Sequence, residues 1–362
     1  MKIFQILEFN QFNTGSVHQM FQAATGLRER GHDVTIISRP DRVLEAKALE
    51  NDVRFHGFPF RHQFDVLTTR ALRRLIRAAH PDVIHVHKGI SHALALGATW
   101  RHPVGAFVVN RGVSFPLDLW NRGKYRTRRV DRIVTVCKQI KDVIVESGHL
   151  PDEKVEVVYA GTEVTHFDPA KWDPRAFRRE KGIADDRFVI AQVGVRDWKG
   201  WKELIDSVSD VVPQHPNAQL LLIGCRGEEE ENEVRAYAGP RRWITPIEYR
   251  TDMPNVFASC DLVVDASWAG TGITGTIREA MAMEKPVIAT DAGGNRELVS
   301  SPSVGWLIPQ KDRTALTAAI REVLADPQRT ARGAREHVIR GFSKELRITR
   351  LEDLYSQILV RR

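Results

Sequence analysis

Short apolar runs alternate along the chain with longer segments of helical periodicity. In the first half the runs are KIFQILEF, HDVTIIS, VRFHGF, DVIHVHK, GAFVVNR, RIVTVCK and KVEVVYAG. Between them lie helical patterns such as VHQMFQAATGLRERG, which ends at a capping glycine, and a segment around residues 66–79. Val- and Ile-rich strands separated by helices are typical of a parallel sheet that is covered on both faces. The pattern predicts an α/β fold.

The alternation is interrupted at residues 164–186, where Pro169 and Pro174 lie among many charges. It then resumes with the strand patterns FVIAQVG, AQLLLIG, DLVVDAS, PVIAT and GWLI. A chain of 362 residues is long enough for two domains. We therefore predict two doubly wound domains, residues 1–165 and 166–342, followed by a C-terminal helix over 343–362. Two such domains would face a cleft, with ligands at the carboxyl ends of the strands.

Composition indicates a globular protein of a reducing compartment. Hydrophobic residues make up 42% and charged residues 27% of the chain, and no apolar run has the length that spans a bilayer. The N-terminus lacks the apolar core and cleavage site of a signal peptide. Cys137, Cys225 and Cys260 lie far apart in apolar segments, without metal-ligand spacing. We expect buried free thiols and a cytoplasmic location.

The net charge of +7 is concentrated in the first half of the chain. Residues 1–165 carry 24 Lys and Arg against 17 Asp and Glu, whereas residues 166–362 carry 29 of each. The excess includes two clusters, Arg70, Arg73, Arg74 and Arg77 on one predicted helix and the segment NRGKYRTRR at 121–129. Such a half is attracted to phospholipid, phosphorylated glycolipid or nucleic acid, although each cluster could also be a solvated face. Nucleic acid is the weakest of these, because the clusters lack interleaved aromatic residues.

Two loops of the second half have the composition of a phosphate site. Gly194 ends the strand pattern FVIAQVG, and Arg196 and Lys199 follow it before the next helix. The planar guanidinium group of an arginine and the ammonium charge of a lysine can together bind a diphosphate at a helix entry. Two exposed cations are the simpler alternative. After DLVVDAS, the glycine-rich WAGTGIT leads into the helix GTIREAMAM, whose first-turn N–H groups suit a diphosphate. Glu279 on that helix can accept from a pair of sugar hydroxyls, and Gly293 and Gly294 open the next helix.

These segments, in this order, resemble the retaining glycosyltransferases of family 4, which have the GT-B fold. The resemblance covers nearly the whole chain and favours members that build lipopolysaccharide cores or other cell-envelope glycans. REAMAMEKPVIATDAGGNRELV is specific to the family, and the looser matches are TGS, RGHDVTIIS, DVIHVH, KVEVVYAGTEVTHFDP and VGVRDWKGWKELI. The tail FSKELRITRLEDLYSQIL resembles the terminal helix that crosses back to the first domain.

The resemblance implies roles for particular residues. Arg196, Lys199 and Glu279 would be the catalytic set, with the two cations neutralising the diphosphate of a nucleotide-sugar and Glu279 holding its ribose. The implied donor-binding residues are Gly15, Gly194, Thr271, Gly272, Ile273, Thr274 and Glu279. Asn110 and Arg111 lie in a loop that the resemblance places near the donor sugar and the acceptor. Arg122, Lys124 and Arg126 are acceptor-side candidates because of the basic charge of their segment.

The sequence departs from the family pattern at three places. Thr271 stands where the family has a glutamate, eight residues before Glu279, which implies a changed donor preference, replacement by a group such as Asp265, or lost activity. Asn110 and Arg111 occupy the region where many members have a histidine. We have no physical account of the third change, at Ala160 and Gly161, where the family has Asn-Gly.

The expected reaction needs no cofactor and no metal. In front-face displacement the leaving diphosphate takes the acceptor proton, so the site must stabilise the diphosphate and position the reactants. The donor would be a nucleotide-sugar, with its base near residues 243–250. The acceptor would be a glycolipid or a lipopolysaccharide or polysaccharide precursor, held by the basic first domain at the inner face of the cell membrane.

Two other functions are compatible with the sequence. One is a nucleotide-sugar epimerase or an inverting transferase on the same architecture, and the other is a degenerate, non-catalytic protein that binds a nucleotide or glycolipid. His85 and His87 share one face of a strand, as a metal pair or, more simply, as structural histidines.

Overall fold

A computed structural model describes residues 1–11, 14–269, 272–326 and 328–361. The chain divides into two compact units: Met1–Gly161 together with the residues from Lys344 onward, and Thr162–Ser343. Within the described residues no helix is both long enough and apolar enough to cross a membrane. The three cysteines are buried free thiols, as the sequence predicts.

The first unit contains a parallel sheet of seven strands with the order β3-β2-β1-β4-β5-β6-β7. The strands are β1 (Lys2–Ile6), β2 (Asp33–Ser38), β3 (Arg54–Gly57), β4 (Val83–Val86), β5 (Ala106–Arg111), β6 (Arg132–Thr135) and β7 (Val155–Val157). The helices between them are α1 (Gly15–Glu29), α2 (Arg42–Glu50), α3 (Val66–Ala79), α4 (Gly89–Ala98), α5 (Leu119–Arg126) and α6 (Lys138–Gly148).

Local signals explain where these elements begin and end. The carboxylate of Asp65 accepts from the Thr68 N–H and so caps the start of α3, and His80, in the left-handed conformation, caps its end. The helix predicted around residues 66–79 is therefore confirmed. All four residues of β4 are buried, as expected for a central strand covered on both faces.

The second unit contains a parallel sheet of six strands with the order β10-β9-β8-β11-β12-β13. The strands are β8 (Phe188–Val193), β9 (Ala218–Cys225), β10 (Ile244–Glu248), β11 (Leu262–Asp265), β12 (Val287–Thr290) and β13 (Trp306–Ile308). The helices are α7 (Ala176–Lys181), α8 (Trp201–Ser209), α9 (Glu228–Ala238), α10 (Met253–Ala258), α11 (Gly275–Ala282), α12 (Asn295–Leu298), α13 (Arg313–Ala325) and α14 (Gln328–Phe342). Because β8, β11 and β12 are adjacent, the loops that follow them meet at one edge of the sheet.

The last helix, α15 (Lys344–Val360), belongs to the first unit and packs on α1. Its buried residues include Ile348, Leu351 and Tyr355, which join the apolar core between the sheet and α1. Gly26 of α1 permits this close approach, since a Cβ at that position would lie 2.6 Å from Cγ1 of Ile348. The Tyr355 hydroxyl also lies 2.6 Å from Nδ1 of His85, so α15 is held by polar as well as apolar contacts.

Candidate functional site

Asp265, the last residue of β11, connects two of the loops that follow adjacent strands of the second unit. It is buried, with 2% of its surface exposed, and its Oδ1 lies 3.3 Å from Nζ of Lys199. The same oxygen accepts from the Ser267 hydroxyl at 2.6 Å, and Oδ2 accepts from the Thr274 hydroxyl at 2.7 Å. One carboxylate therefore joins the loop after β8 to the N-terminus of α11.

The surroundings of Asp265 favour its ionised form. Burial alone would raise the pKa of this carboxyl group, but the charge of Lys199 opposes it. Hydrogen bonds from Ser267 and Thr274 act in the same direction as Lys199, and together they hold the pKa below its ordinary value. Asp265 is thus an anion at neutral pH and a fixed partner for the Lys199 ammonium group.

Asn295 attaches the turn after β12 to the same cluster. Its Oδ1 accepts from the Thr274 N–H at 3.0 Å, and its Nδ2 donates to the Thr290 carbonyl at 3.1 Å. The glycine-rich turns themselves touch, because a Cβ at Gly293 would lie 2.5 Å from the carbonyl oxygen of Gly272. Asn295 was not among the residues that the sequence singled out, although an amide directly after the Gly293–Gly294 pair was a visible signal.

The loop after β8 is shaped by two glycines with positive φ. Gly194 has φ 92° and donates its N–H to the Ile223 carbonyl at 2.7 Å, and the stem of Lys199 passes beside it. Gly200 has φ 66°, and a Cβ there would collide with the carbonyl oxygen of Ala266. Arg196 is exposed at the start of the same loop. The two predicted diphosphate-binding cations therefore come from one short, sterically restricted loop.

The N-terminus of α11 has no side-chain cap. Thr274 is the N-cap residue, but its hydroxyl donates to Asp265 and makes no capping bond to the helix. The first-turn N–H groups and the positive end of the helix dipole are consequently suited to an anion. Ile273 is buried and Gly272 is half-buried in the approach to this helix.

Glu279 is the fifth residue of α11 and lies one turn after the first residue of the helix. It is half-buried, and burial raises the pKa of Glu279 to about 7, with the charge of the adjacent Arg278 acting in the opposite direction. The Arg278 side chain is buried and its Nε donates to the Thr162 hydroxyl at 2.6 Å. A carboxylate with a raised pKa beside a cation and a helix N-terminus is a common feature of ligand sites.

Thr271, which the family resemblance assigned to the donor sugar, lies outside the described residues. The structure brings Gly194, Lys199, Gly272 and Thr274 together around Asp265 and Asn295. The sequence predicts a role for Asp265 only as a substitute for the missing glutamate.

The acceptor-side candidates at the end of β5 are Asn110 and Arg111, both half-buried. The Arg111 guanidinium donates to the Phe115 carbonyl at 2.7 Å and lies 6.0 Å from the ring centroid of Tyr125. Gly15 is the first residue of α1 and has open space where a Cβ would stand.

The three basic candidates on α5 differ in their surroundings. Arg122 donates to the Leu117 carbonyl at 3.3 Å, and Nζ of Lys124 donates to the Gly89 carbonyl at 3.4 Å. Burial lowers the pKa of Lys124, whereas Arg126 is exposed. Of these three candidates, Arg126 is therefore the one that faces solvent.

His85 in β4 and His87, directly after this strand, both contact polar side chains of the protein. Nδ1 of His85 contacts the Tyr355 hydroxyl, and Nε2 of His87 lies 2.6 Å from Oε1 of Gln5. Burial lowers the pKa of His85 to about 3. In the described part of the chain, no group of three or more His, Cys, Asp or Glu side chains could hold a metal ion. The geometry supports the structural interpretation of this pair.

A cavity of about 490 Å³ in the first unit is formed by α15, the start of α6 and the chain after β7. It is lined in part by Lys138, Tyr159, Arg350 and Gln357. None of the acceptor-side residues predicted from the sequence is part of this lining as the structure describes it.

Two family models match the chain. Residues 14–166 match the model described as Glycosyltransferase Family 4, and residues 187–326 match the model described as Glycosyl transferases group 1. Together they include the loops that carry the candidate residues of both units.

Curated relatives match over most of their length. YtcC of Bacillus subtilis, which has a provisional glycosyltransferase name, is 26% identical over 95% of this chain and 88% of its own. A protein of Corynebacterium glutamicum, the GDP-mannose-dependent monoacylated alpha-(1-6)-phosphatidylinositol monomannoside mannosyltransferase, is also 26% identical, over 91% of this chain and 93% of its own.

The architecture also matches a solved structure, that of Anabaena Alr3699/HepE in complex with UDP. The TM-score is 0.85 at 19% identity, over 99% of this chain and 100% of that protein. At this identity the likeness concerns the fold. The chain therefore belongs to family 4 of the glycosyltransferases and has their GT-B fold.

Proposed function

We propose that this glycosyltransferase moves a hexose or a related sugar from a nucleotide-sugar to a glycolipid or a lipopolysaccharide or polysaccharide precursor, with retention of anomeric configuration. The observation that carries the proposal is the cluster around Asp265. It holds the Lys199 ammonium group and the uncapped N-terminus of α11 at the carboxyl ends of adjacent strands. Such an arrangement suits the diphosphate of a sugar donor.

Each donor group has a counterpart among the described residues. Lys199, Arg196 and the first-turn N–H groups of α11 would bind the diphosphate, and Glu279 would accept from the ribose hydroxyls. Tyr249, after β10, is 49% exposed and is a candidate for contact with the base. The UDP complex of the Anabaena protein and the GDP-mannose dependence in the name of the corynebacterial relative support a nucleotide-sugar donor.

The proposed chemistry requires no protein nucleophile and no metal. The acceptor hydroxyl oxygen bonds to the anomeric carbon on the face that the diphosphate leaves, and the bond from that carbon to the diphosphate oxygen breaks. The departing oxygen takes the acceptor proton. Lys199, Arg196 and the helix dipole stabilise the charge that develops on the diphosphate, which is electrostatic catalysis by preorganised groups.

The acceptor proposal depends on the charge of the first half of the chain. The excess of Lys and Arg over residues 1–165 favours an anionic acceptor or an anionic membrane surface. The corynebacterial relative is named for a phosphatidylinositol-linked acceptor, which supports a glycolipid. We place the enzyme at the inner face of the cell membrane, in peripheral association.

A thermal-shift series with nucleotide-sugars is the first test, because a ligand that binds only the folded state raises the Tm. We expect one nucleotide-sugar to raise the Tm by several degrees in wild type and in Lys202→Ala, and to have little effect on Lys199→Ala. Lys202 is a matched control because it pairs with Asp197 and Glu233 on the surface.

Product analysis then tests the reaction. Transfer with the donor's anomeric configuration, unaffected by EDTA, supports the proposal, whereas an inverted product contradicts retention. Donor epimerisation without an acceptor would favour an epimerase. Binding without turnover, over a broad set of anionic glycolipid acceptors, would favour a degenerate transferase.

A further inference from the structure

Three large apolar side chains within six residues are exposed where the chain leaves β5 and enters α5. Phe115 is 67% exposed, Leu119 77% and Trp120 95%. Large exposed apolar groups with no covering element usually belong to an interaction surface. With Arg126 and Arg128, both exposed, these residues form what is called here the α5 surface.

The geometry of α5 separates this surface from the buried side of the helix. Successive residues of a helix are about 100° apart around its axis, which places Leu119, Gly123 and Arg126 within about 60° of one another on one side of α5. Trp120 lies about 60° beyond the edge of that arc. Tyr125 is on the opposite side, 3% exposed, with its ring centroid 4.8 Å from that of His92. The helix is therefore anchored to the first unit and presents its apolar N-terminal end outward.

Charge around the α5 surface is predominantly positive. Residues 115–132 contain six Lys and Arg and two Asp. Arg122, Lys124 and Arg129 donate to backbone carbonyls of the unit. Arg126 and Arg128 remain exposed, and among the described residues neither forms an ion pair. This exposed positive charge complements an anionic partner.

The α5 surface is also linked to the candidate acceptor residues. Arg111, at the end of β5, donates to the carbonyl oxygen of Phe115. A partner that contacts Phe115 would therefore be one hydrogen bond away from the side chain assigned to the acceptor. This link is expected if the same partner supplies the acceptor.

We propose that the α5 surface docks on an anionic lipid bilayer, with Trp120 and Leu119 entering the interface and Arg126 and Arg128 contacting lipid phosphates. A bilayer fits these features because tryptophan favours the membrane–water boundary and basic residues beside apolar ones are typical of interfacial helices. The inference rests on the proposed function, since it assumes a lipid-borne acceptor. It adds the place on the chain at which the membrane is bound.

Cosedimentation with vesicles of phosphatidylcholine, with and without phosphatidylglycerol, tests the proposal on the full chain. We expect binding to the anionic vesicles, weakened at least tenfold in the double variant Leu119→Ser/Trp120→Ser. Trp100→Ser is the control, because Trp100 is 71% exposed in the same unit but lies under the Arg129 guanidinium at 5.3 Å. Arg126→Gln/Arg128→Gln should weaken binding and reduce its dependence on salt.

Further measurements separate docking from folding and from transfer. Brominated phosphatidylglycerol should quench tryptophan fluorescence in wild type and Trp100→Ser and much less in the double variant, with all Tm values alike. Equal vesicle binding by wild type and the double variant, or no binding at all, overturns the docking proposal. Transfer to a soluble acceptor analogue would then show the proposed function intact, whereas vesicle binding without any donor-induced Tm shift would reject that function alone.

Discussion

Lys199, in the loop after β8, faces Asp265, the last residue of the adjacent strand β11, with 3.3 Å between Nζ and Oδ1. The carboxylate is buried and the ammonium group is largely shielded from solvent. A lysine with four rotatable methylene groups is thereby held in one place before any donor arrives, which reduces the entropy lost on binding. Asp265 acts through Lys199 and Thr274, so it is a positioning residue.

Removing one member of this pair should cost more stability than removing both. Lys199→Met leaves the Asp265 carboxylate buried without its cation, which we expect to lower the free energy of unfolding by ~3–5 kcal/mol. Lys199→Met/Asp265→Asn should recover most of that loss but no transferase activity. Urea unfolding and transfer assays of the four proteins form a double-mutant cycle. A double variant no more stable than Lys199→Met would contradict a direct ion pair.

Donor affinity should depend on the protonation of Glu279. The pKa of this group in the free protein is about 7, and a carboxylate that accepts from two ribose hydroxyls binds best when ionised. Affinity should therefore rise with pH through 7, and should weaken by about tenfold for each pH unit well below it. The diphosphate of a nucleotide-sugar is esterified at both ends and does not titrate in this range.

Calorimetric Kd values for a nucleotide-sugar between pH 5.5 and 8.5 would measure this dependence. Glu279→Gln should bind weakly with a flat profile, whereas Lys202→Ala should keep the wild-type profile. The free energy of unfolding should change in the opposite direction, because a raised pKa in the folded state gives stability below the ordinary pKa that is lost as pH approaches 7. An identical affinity profile in wild type and Glu279→Gln would remove Glu279 from the donor site.

The repeating secondary structure was predictable mainly from strands such as β4 and β12, which are buried along their whole length and consist mostly of apolar residues. β10 was not recognised, since Pro246 interrupts the segment WITPIEYR. The structure accommodates this proline because β10 is at the edge of the sheet, where one row of backbone N–H groups has no strand to pair with. Edge position is a property of the whole sheet and does not appear in the local pattern.

Side-chain partners across loops were less predictable than strands. NRGKYRTRR appeared uniformly basic, but Lys124 and Arg129 donate to the carbonyls of Gly89 and Leu96, which come close only after the unit has folded. Likewise, the contacts that converge on Asp265 come from loops up to 66 residues apart in sequence. Residue type and spacing identified the loops, whereas adjacency of the strands determined which side chains meet.

The donor loop should tolerate no side chain at Gly200. Gly182 in α7's C-terminal cap has nearly the same φ, 65° against 66°, but has open space around the Cβ position. Gly182→Ala should thus lower the free energy of unfolding by about 1–2 kcal/mol, which is the penalty for a non-glycine residue in the left-handed conformation. Gly200→Ala should cost more and should also abolish the donor-induced Tm shift, because relief of the clash with Ala266 displaces Lys199. Equal Tm losses with donor binding retained in both variants would contradict this.

The contact of α15 with α1 should contribute substantially to the stability of the first unit. Leu351 is fully buried between the two helices and the sheet, so Leu351→Ala should lower the free energy of unfolding by ~2–5 kcal/mol through lost burial and a residual cavity. Val360, at the end of the same helix, is 86% exposed, and Val360→Ala should change stability by no more than about 0.5 kcal/mol. Urea unfolding followed by circular dichroism measures both variants.

Because Leu351 is remote in sequence from the donor loops and packs only within the first unit's core, Leu351→Ala should still bind nucleotide-sugar at low temperature. A small stability loss, within the range of the Val360 control, would mean that α15 is only loosely attached.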